Sequence, residues 1–120
     1  MSRELLLLRE MRDAAVAIRE LVGDLSVDLV EADLMRRSAL LWHFTVLGEA
    51  ASQVPSEVKD SYPKIAWRAA TRLRNRIVHG YWDIDVETLV TTSAEDLPQM
   101  IVQLEGAIAT LQKPEAAPAV

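Results

Sequence analysis

Apolar residues return every three or four positions along most of this 120-residue chain, and no stretch alternates with the two-residue period of a strand. That periodicity restricts the chain to helices. From Arg3 to Val22 the stripe is Leu5, Leu8, Met11, Ala15, Ile18 and Val22, with Arg9, Arg12, Arg19 and Glu20 toward water. Gly23 suits a left-handed C-cap, and Ser26 suits the N-cap of a short turn through Glu31. A second long helix is expected from Asp33 to Gln53 through Leu40, Leu41, Phe44, Leu47 and Ala51, stopped by Pro55. Trp42, Val46 and Ala50 give it a second apolar face, which fits a bundle centre or a subunit interface. Gly48 inside this helix costs about 1 kcal/mol relative to alanine, which close approach by a neighbour would explain.

Residues Pro55 to Ser61 have room for one further turn. Pro63 suits the first position of a helix running to about His79, because the N–H it lacks would be unpaired there. Its buried stripe is expected to be Ala66, Ala70, Leu73 and Ile77, with Gly80 at its end. A last helix should span Asp85 to Leu111. Val86, Val90, Ser93, Leu97, Met100, Leu104, Ile108 and Leu111 stay in phase across Pro98, so one helix bent at the proline is expected, with Asp96 as an alternative cap. Residues 113–120, with two prolines and three alanines, read as a flexible tail. The expected fold is all-α, a four-to-five-helix bundle without a sheet, formed by residues 1–112 as a single domain.

Half the residues are apolar and 26% charged, which excludes a disordered chain. Without cysteine there are no disulfides or thiolate metal sites, in agreement with a reducing compartment. Met1 to Arg12 is too interrupted by charge to read as a signal peptide. Ser38 to Ala51 is too short for a membrane span. A soluble cytoplasmic protein is expected, with no membrane association.

Charge is distributed unevenly. Between Ser61 and Trp82 lie Lys64, Arg68, Arg72, Arg74 and Arg76 and no acidic residue. The chain has 13 Lys+Arg against 18 Asp+Glu, so everything outside that segment stands at 8 against 18. An acidic chain that gathers its cations on one segment presents them to a negatively charged ligand or partner.

His79, one of two histidines, closes the segment. Asn75 and His79, four apart, share a helix face, whereas Arg74 and His79, five apart, stand about 140° round at 100° per residue. The long arginine side chain and a loss of helical geometry at Gly80 are two ways for them to meet. The chemistry that fits is RNA cleavage without a metal or other cofactor. Imidazole takes a proton from a ribose 2′-hydroxyl near neutral pH. Guanidinium stabilises charge developing on phosphate. Asn75 would fix the imidazole tautomer, and Lys64, Arg68, Arg72 and Arg76 would hold flanking phosphates. The leaving oxygen needs an acid, and a two-fold dimer would place a second His79 or Arg74 across a shared cleft.

Structural readings compete with each of these. A histidine near a helix C-terminus is often only a dipole partner. His79 with Asp83 and Asp85 has some look of a metal set, although Gly80 interrupts the spacing it would need. The basic run also reads as a solvated face, and Tyr81 and Trp82 as packing residues. His43 in its apolar helix reads as a core or interface residue, and Glu49 either as the partner of an arginine or as exposed.

The words Leu73-Arg74-Asn75-Arg76-Ile77-Val78-His79-Gly80-Tyr81 shift this balance. With Val46-Leu47-Gly48-Glu49-Ala50-Ala51 and Tyr62-Pro63-Lys64-Ile65-Ala66-Trp67 upstream and Glu95-Asp96-Leu97-Pro98 downstream, the chain closely resembles the HepT toxins of the HEPN superfamily, over roughly residues 37–111. The resemblance implies a small all-helical, metal-independent ribonuclease working as a homodimer with its cleft at the subunit interface. It implies Arg74 and His79 as catalytic residues, with Asn75 in support. It also implies a minimal nucleotidyltransferase antitoxin as partner, which transfers AMP from ATP to the motif tyrosine, here Tyr81. The reading from another class is a non-catalytic helical adaptor for such a nucleotidyltransferase.

Overall fold

The computed structural model describes residues 2–113, and among them every regular element is helical. The long helices are α1 (Arg3–Val22), α3 (Leu34–Gln53), α5 (Trp67–Gly80), α6 (Val86–Glu95) and α7 (Leu97–Gln112). Two single-turn helices, α2 (Val27–Ala32) and α4 (Ser56–Ser61), connect them, and a 3-10 turn spans Tyr81–Asp83. The expected all-α bundle without a sheet is found. Apart from Lys113, the expected C-terminal tail lies outside the described residues.

Local signals account for the first half of the chain. Ser2 and Ser26 each accept the backbone N–H three residues on, which caps α1 and α2. Gly23 takes φ +49° and donates its N–H to the Arg19 carbonyl, as a helix-ending glycine does. Asp33 opens α3 by accepting the Arg36 N–H at 3.0 Å, and the Arg36 guanidinium returns to its carboxylate at 3.2 Å. These contacts, the Arg36 backbone N–H foremost, hold the Asp33 carboxyl below its ordinary range.

Two boundaries differ from expectation. The helix expected to begin at Pro63 begins at Trp67. Residues 63–66 form a turn whose hub is the Tyr62 carbonyl, which accepts the Ile65 N–H at 3.2 Å and the Trp67 indole N–H at 3.1 Å. That turn buries Ile65 and Trp67, and Trp67 replaces the exposed Ala66 in the inward stripe. The expected single bent helix over Asp85–Leu111 is two helices meeting at Asp96. Pro98 stands in the first turn of α7, where no N–H is required of it. Leu97, buried at the elbow, keeps the apolar stripe in phase across the break.

The core is a single cluster in which α1 packs on α3 and α7, with Leu8, Met11, Ile18, Leu40, Phe44, Leu89 and Leu104 almost without exposure. Ser93 is fully buried among these side chains, and its hydroxyl accepts from the Arg19 guanidinium of α1 at 3.4 Å. α5 lies along α3 and adds Trp67, Ala70 and Ile77 to the same cluster. Gly48 faces Ala70 and Arg74 while Leu41 and Tyr81 line one cleft, so the two helices run antiparallel. No helix among the described residues is long and apolar enough to cross a membrane.

Candidate active site

Gly48 sets the distance between the two helices that carry the motif. A methyl group there would fall onto the Arg74 Cβ and 2.5 Å from the Ala70 carbonyl oxygen. Contact this close is available only to glycine, which explains an otherwise unfavourable residue in mid-helix. Arg74 is thereby pressed against α3 and turned toward Glu49, with Nη2 3.3 Å from Oε2. The arginine is only 23% exposed. Glu49, undecided from the sequence, is therefore an arginine partner.

His79 is exposed, with no hydrogen bond or ion pair among the described residues. Helical geometry is lost at Gly80 itself, with φ −171° and ψ 64°, one residue after His79 and just before the 3-10 turn. His79 therefore keeps its helical bearing, about 140° round α5 from Arg74. Within one chain the two side chains are not brought together. Asn75 is exposed one turn before His79 and on the same side.

Tyr81 and Trp82 are both largely exposed and meet edge to face, with ring centres 5.2 Å apart. They border a cleft of about 390 Å³ with Arg37, Ser38 and Leu41. The reading of His79, Asp83 and Asp85 as metal ligands is not assembled: among the described residues no three His, Asp or Glu side chains gather as a metal set would. His43 is half-buried in a cleft between α1 and α3, beside the exposed Trp42.

The remaining cations, Lys64, Arg68, Arg72 and Arg76, are exposed and take part in no ion pair among the described residues. Lys64, Arg72 and Arg76 border a groove of about 480 Å³ between α5 and the α6–α7 elbow, whereas Arg68 stands outside it. The opposite wall carries Thr88, Thr92, Gln99 and Gln103, which were not singled out from the sequence. Their only signal there is a pair of four-residue steps, 88 to 92 and 99 to 103, on either side of Asp96.

Comparison with known proteins identifies the family. The sequence model of the family described as "Ribonuclease HepT-like" matches residues 11–107. A protein of Thermococcus cleftensis named "Probable ribonuclease HepT" is 28% identical over 93 residues, spanning 78% of this chain and 84% of that protein. One from Methanocaldococcus jannaschii, named "Putative RNase MJ0127", is 26% identical over 106 residues, 88% of this chain and 84% of its own length. No solved structure matches the chain significantly. With the family model spanning 97 of its 120 residues, the chain belongs to the ribonuclease HepT-like family.

Proposed function

We propose that this chain is a metal-independent endoribonuclease, the toxin of a cytoplasmic toxin–antitoxin module, whose functional unit is a homodimer of the 1–112 domain. The observation that carries the reading is a fixed guanidinium and a free imidazole on one helix: Glu49 holds Arg74, while His79 stands open to solvent. A neutral imidazole at His79 takes the proton from a ribose 2′-hydroxyl. The 2′-oxygen then attacks phosphorus, and the bond to the 5′-oxygen breaks. A second imidazole returns a proton to that leaving oxygen, giving a 2′,3′-cyclic phosphate and a 5′-hydroxyl. Arg74 balances the charge on the non-bridging oxygens, Asn75 orients His79, and Lys64, Arg68, Arg72 and Arg76 hold neighbouring phosphates.

The 140° separation within one chain is the reason the dimer is part of the proposal. A two-fold axis beside α3 and α5 lets the Arg74 of one copy face the His79 of the other. Trp42 and Val78 support an interface there, because both are large, apolar and more than half exposed. Val78 lies one turn beyond Arg74, and Trp42 two turns before Glu49. Since the helices are antiparallel, both residues extend from the ion pair in the same direction.

A minimal nucleotidyltransferase antitoxin, in this reading, transfers AMP from ATP to the Tyr81 hydroxyl with release of pyrophosphate. Tyr81 is accessible for it, and the new phosphodiester adds a negative charge at the end of the RNA-binding helix. The purified chain should cut single-stranded RNA in the presence of EDTA. His79→Ala and Arg74→Ala should each abolish cutting, and Tyr81→Phe should prevent a mass gain of one AMP on co-expression with the antitoxin. Cleavage that survives both catalytic substitutions, or that EDTA stops, overturns the mechanism. The same angular separation also favours a non-catalytic adaptor that presents Tyr81 to its nucleotidyltransferase, for which His79→Ala would leave toxicity unchanged.

A further inference from the structure

The groove between α5 and the α6–α7 elbow has no part in the bond-breaking step, yet it is built for a ligand of mixed character. Its floor is apolar, formed by Phe44, Leu47, Leu73, Leu97 and Met100. Its near wall carries Lys64 from the turn before α5 and Arg72 and Arg76 from α5, unpaired among the described residues and opposed in the groove by one carboxylate, Asp96. The volume, about 480 Å³, lies in the ordinary range for small-ligand sites.

The far wall is the more informative one. Thr45, Thr71 and Thr110 each donate the hydroxyl to the carbonyl four residues earlier, the usual resting place of a helical threonine. Thr92, with the Thr88 carbonyl one turn back, makes no such bond, nor does Thr91 outside the groove, and the side-chain amides of Gln99 and Gln103 have no partner among the described residues. Four side chains that both donate and accept thus face three cations across an apolar floor. A nucleobase matches this arrangement: flat apolar faces, an edge of alternating donors and acceptors, and a phosphate on the cationic side.

Position favours the same ligand. Arg76 precedes His79 by three residues, about 4.5 Å along the helix, and Arg72 lies one further turn back. A strand whose phosphate sits at His79 passes its neighbouring nucleotide over the mouth of the groove.

We infer that this groove reads one base of single-stranded RNA next to the phosphate addressed by His79, with Thr92, Gln99 and Gln103 as the specificity-determining residues. The inference rests on the ribonuclease reading for its choice of RNA, but its test does not depend on cleavage. Binding of four homopolymeric 12-mers of A, C, G and U is measured on the full chain carrying His79→Ala, which keeps the RNA intact. One homopolymer should bind about threefold to tenfold more tightly than the weakest. Thr92→Val together with Gln103→Leu, close in shape to the residues replaced, should bring the four affinities together. Arg76→Gln should weaken all four alike and reduce the salt dependence by about one counterion.

Gln99→Leu, at an exposed position, is the second variant should the double substitution unfold the chain. Four equal affinities, no binding at all, or a ranking untouched by the wall substitutions would overturn the inference. So would a change in self-association in place of a change in RNA preference, because the groove would then be a contact between copies. Loss of cleavage in the unmodified chain with base preference intact would instead strike only at the ribonuclease mechanism.

Discussion

Arg74 and Glu49 are joined across the α3–α5 contact, Nη2 to Oε2 at 3.3 Å, with the glutamate half exposed. A pair this open to water adds little to stability. Glu49→Gln should therefore leave unfolding in urea within about 0.5 kcal/mol of the parent. If the pair aims the guanidinium, RNA cleavage should fall by about tenfold to a hundredfold. Equal cleavage by both proteins would show that Arg74 holds its place without Glu49.

Gly48→Ala should destabilise the protein although alanine is the better helix former by about 1 kcal/mol. The added methyl meets the Ala70 carbonyl oxygen at 2.5 Å, and helix backbone cannot yield as a side-chain tip does. Net destabilisation of about 1–3 kcal/mol is expected, seen as a drop of roughly 5–15 °C in thermal unfolding. A raised melting temperature would mean that α3 and α5 separate more easily than their packing implies.

Asp33 gives a pH dependence whose sign is fixed. Its folded carboxyl titrates below the ordinary value of 3.8, through the Arg36 N–H first and its guanidinium in addition. The contribution to stability is present above that ordinary value and is lost as pH falls through the lower folded value. Asp33→Asn should narrow the gap from the parent only in that acid window, as followed by far-UV circular dichroism. A gap that instead closes near neutral pH would assign the effect to another group.

Trp42→Asp and Val78→Asp test the two-fold assembly. Both side chains are more than half exposed, so the fold of the single chain should change by no more than about 0.5 kcal/mol. Sedimentation should move from dimer to monomer, and cleavage should fall with it. A dimer that persists with full activity would place the interface elsewhere.

Much of this architecture could be read from residue spacing. The bounds of α1 and the cap at Gly23 follow from a regular stripe and one glycine, and the unfavourable Gly48 correctly pointed to a close neighbour. The start of α5 was not legible, because Pro63 is equally at home in a turn. The choice was made by Trp67, whose indole needed the Tyr62 carbonyl, a partner that no periodicity announces. The elbow falls at Asp96, the alternative cap, and the one-helix reading prevails in the sequence only because Leu97 keeps the apolar stripe continuous through a real break. At the candidate site, the angle between Arg74 and His79 followed from counting residues. The partnership with Glu49 did not, because it depends on how two distant helices are set against each other. The groove wall was invisible for the same reason: threonine and glutamine on a helix carry no sign of what they face.

The way α5 is mounted has a mechanical consequence. It rests on α3 along one flank, and its other flank borders the groove. The motif helix resembles a plank nailed along a single edge. Whatever settles into the groove supplies the second row of nails, so occupancy should register as slower amide exchange along α5 before any bond is cut.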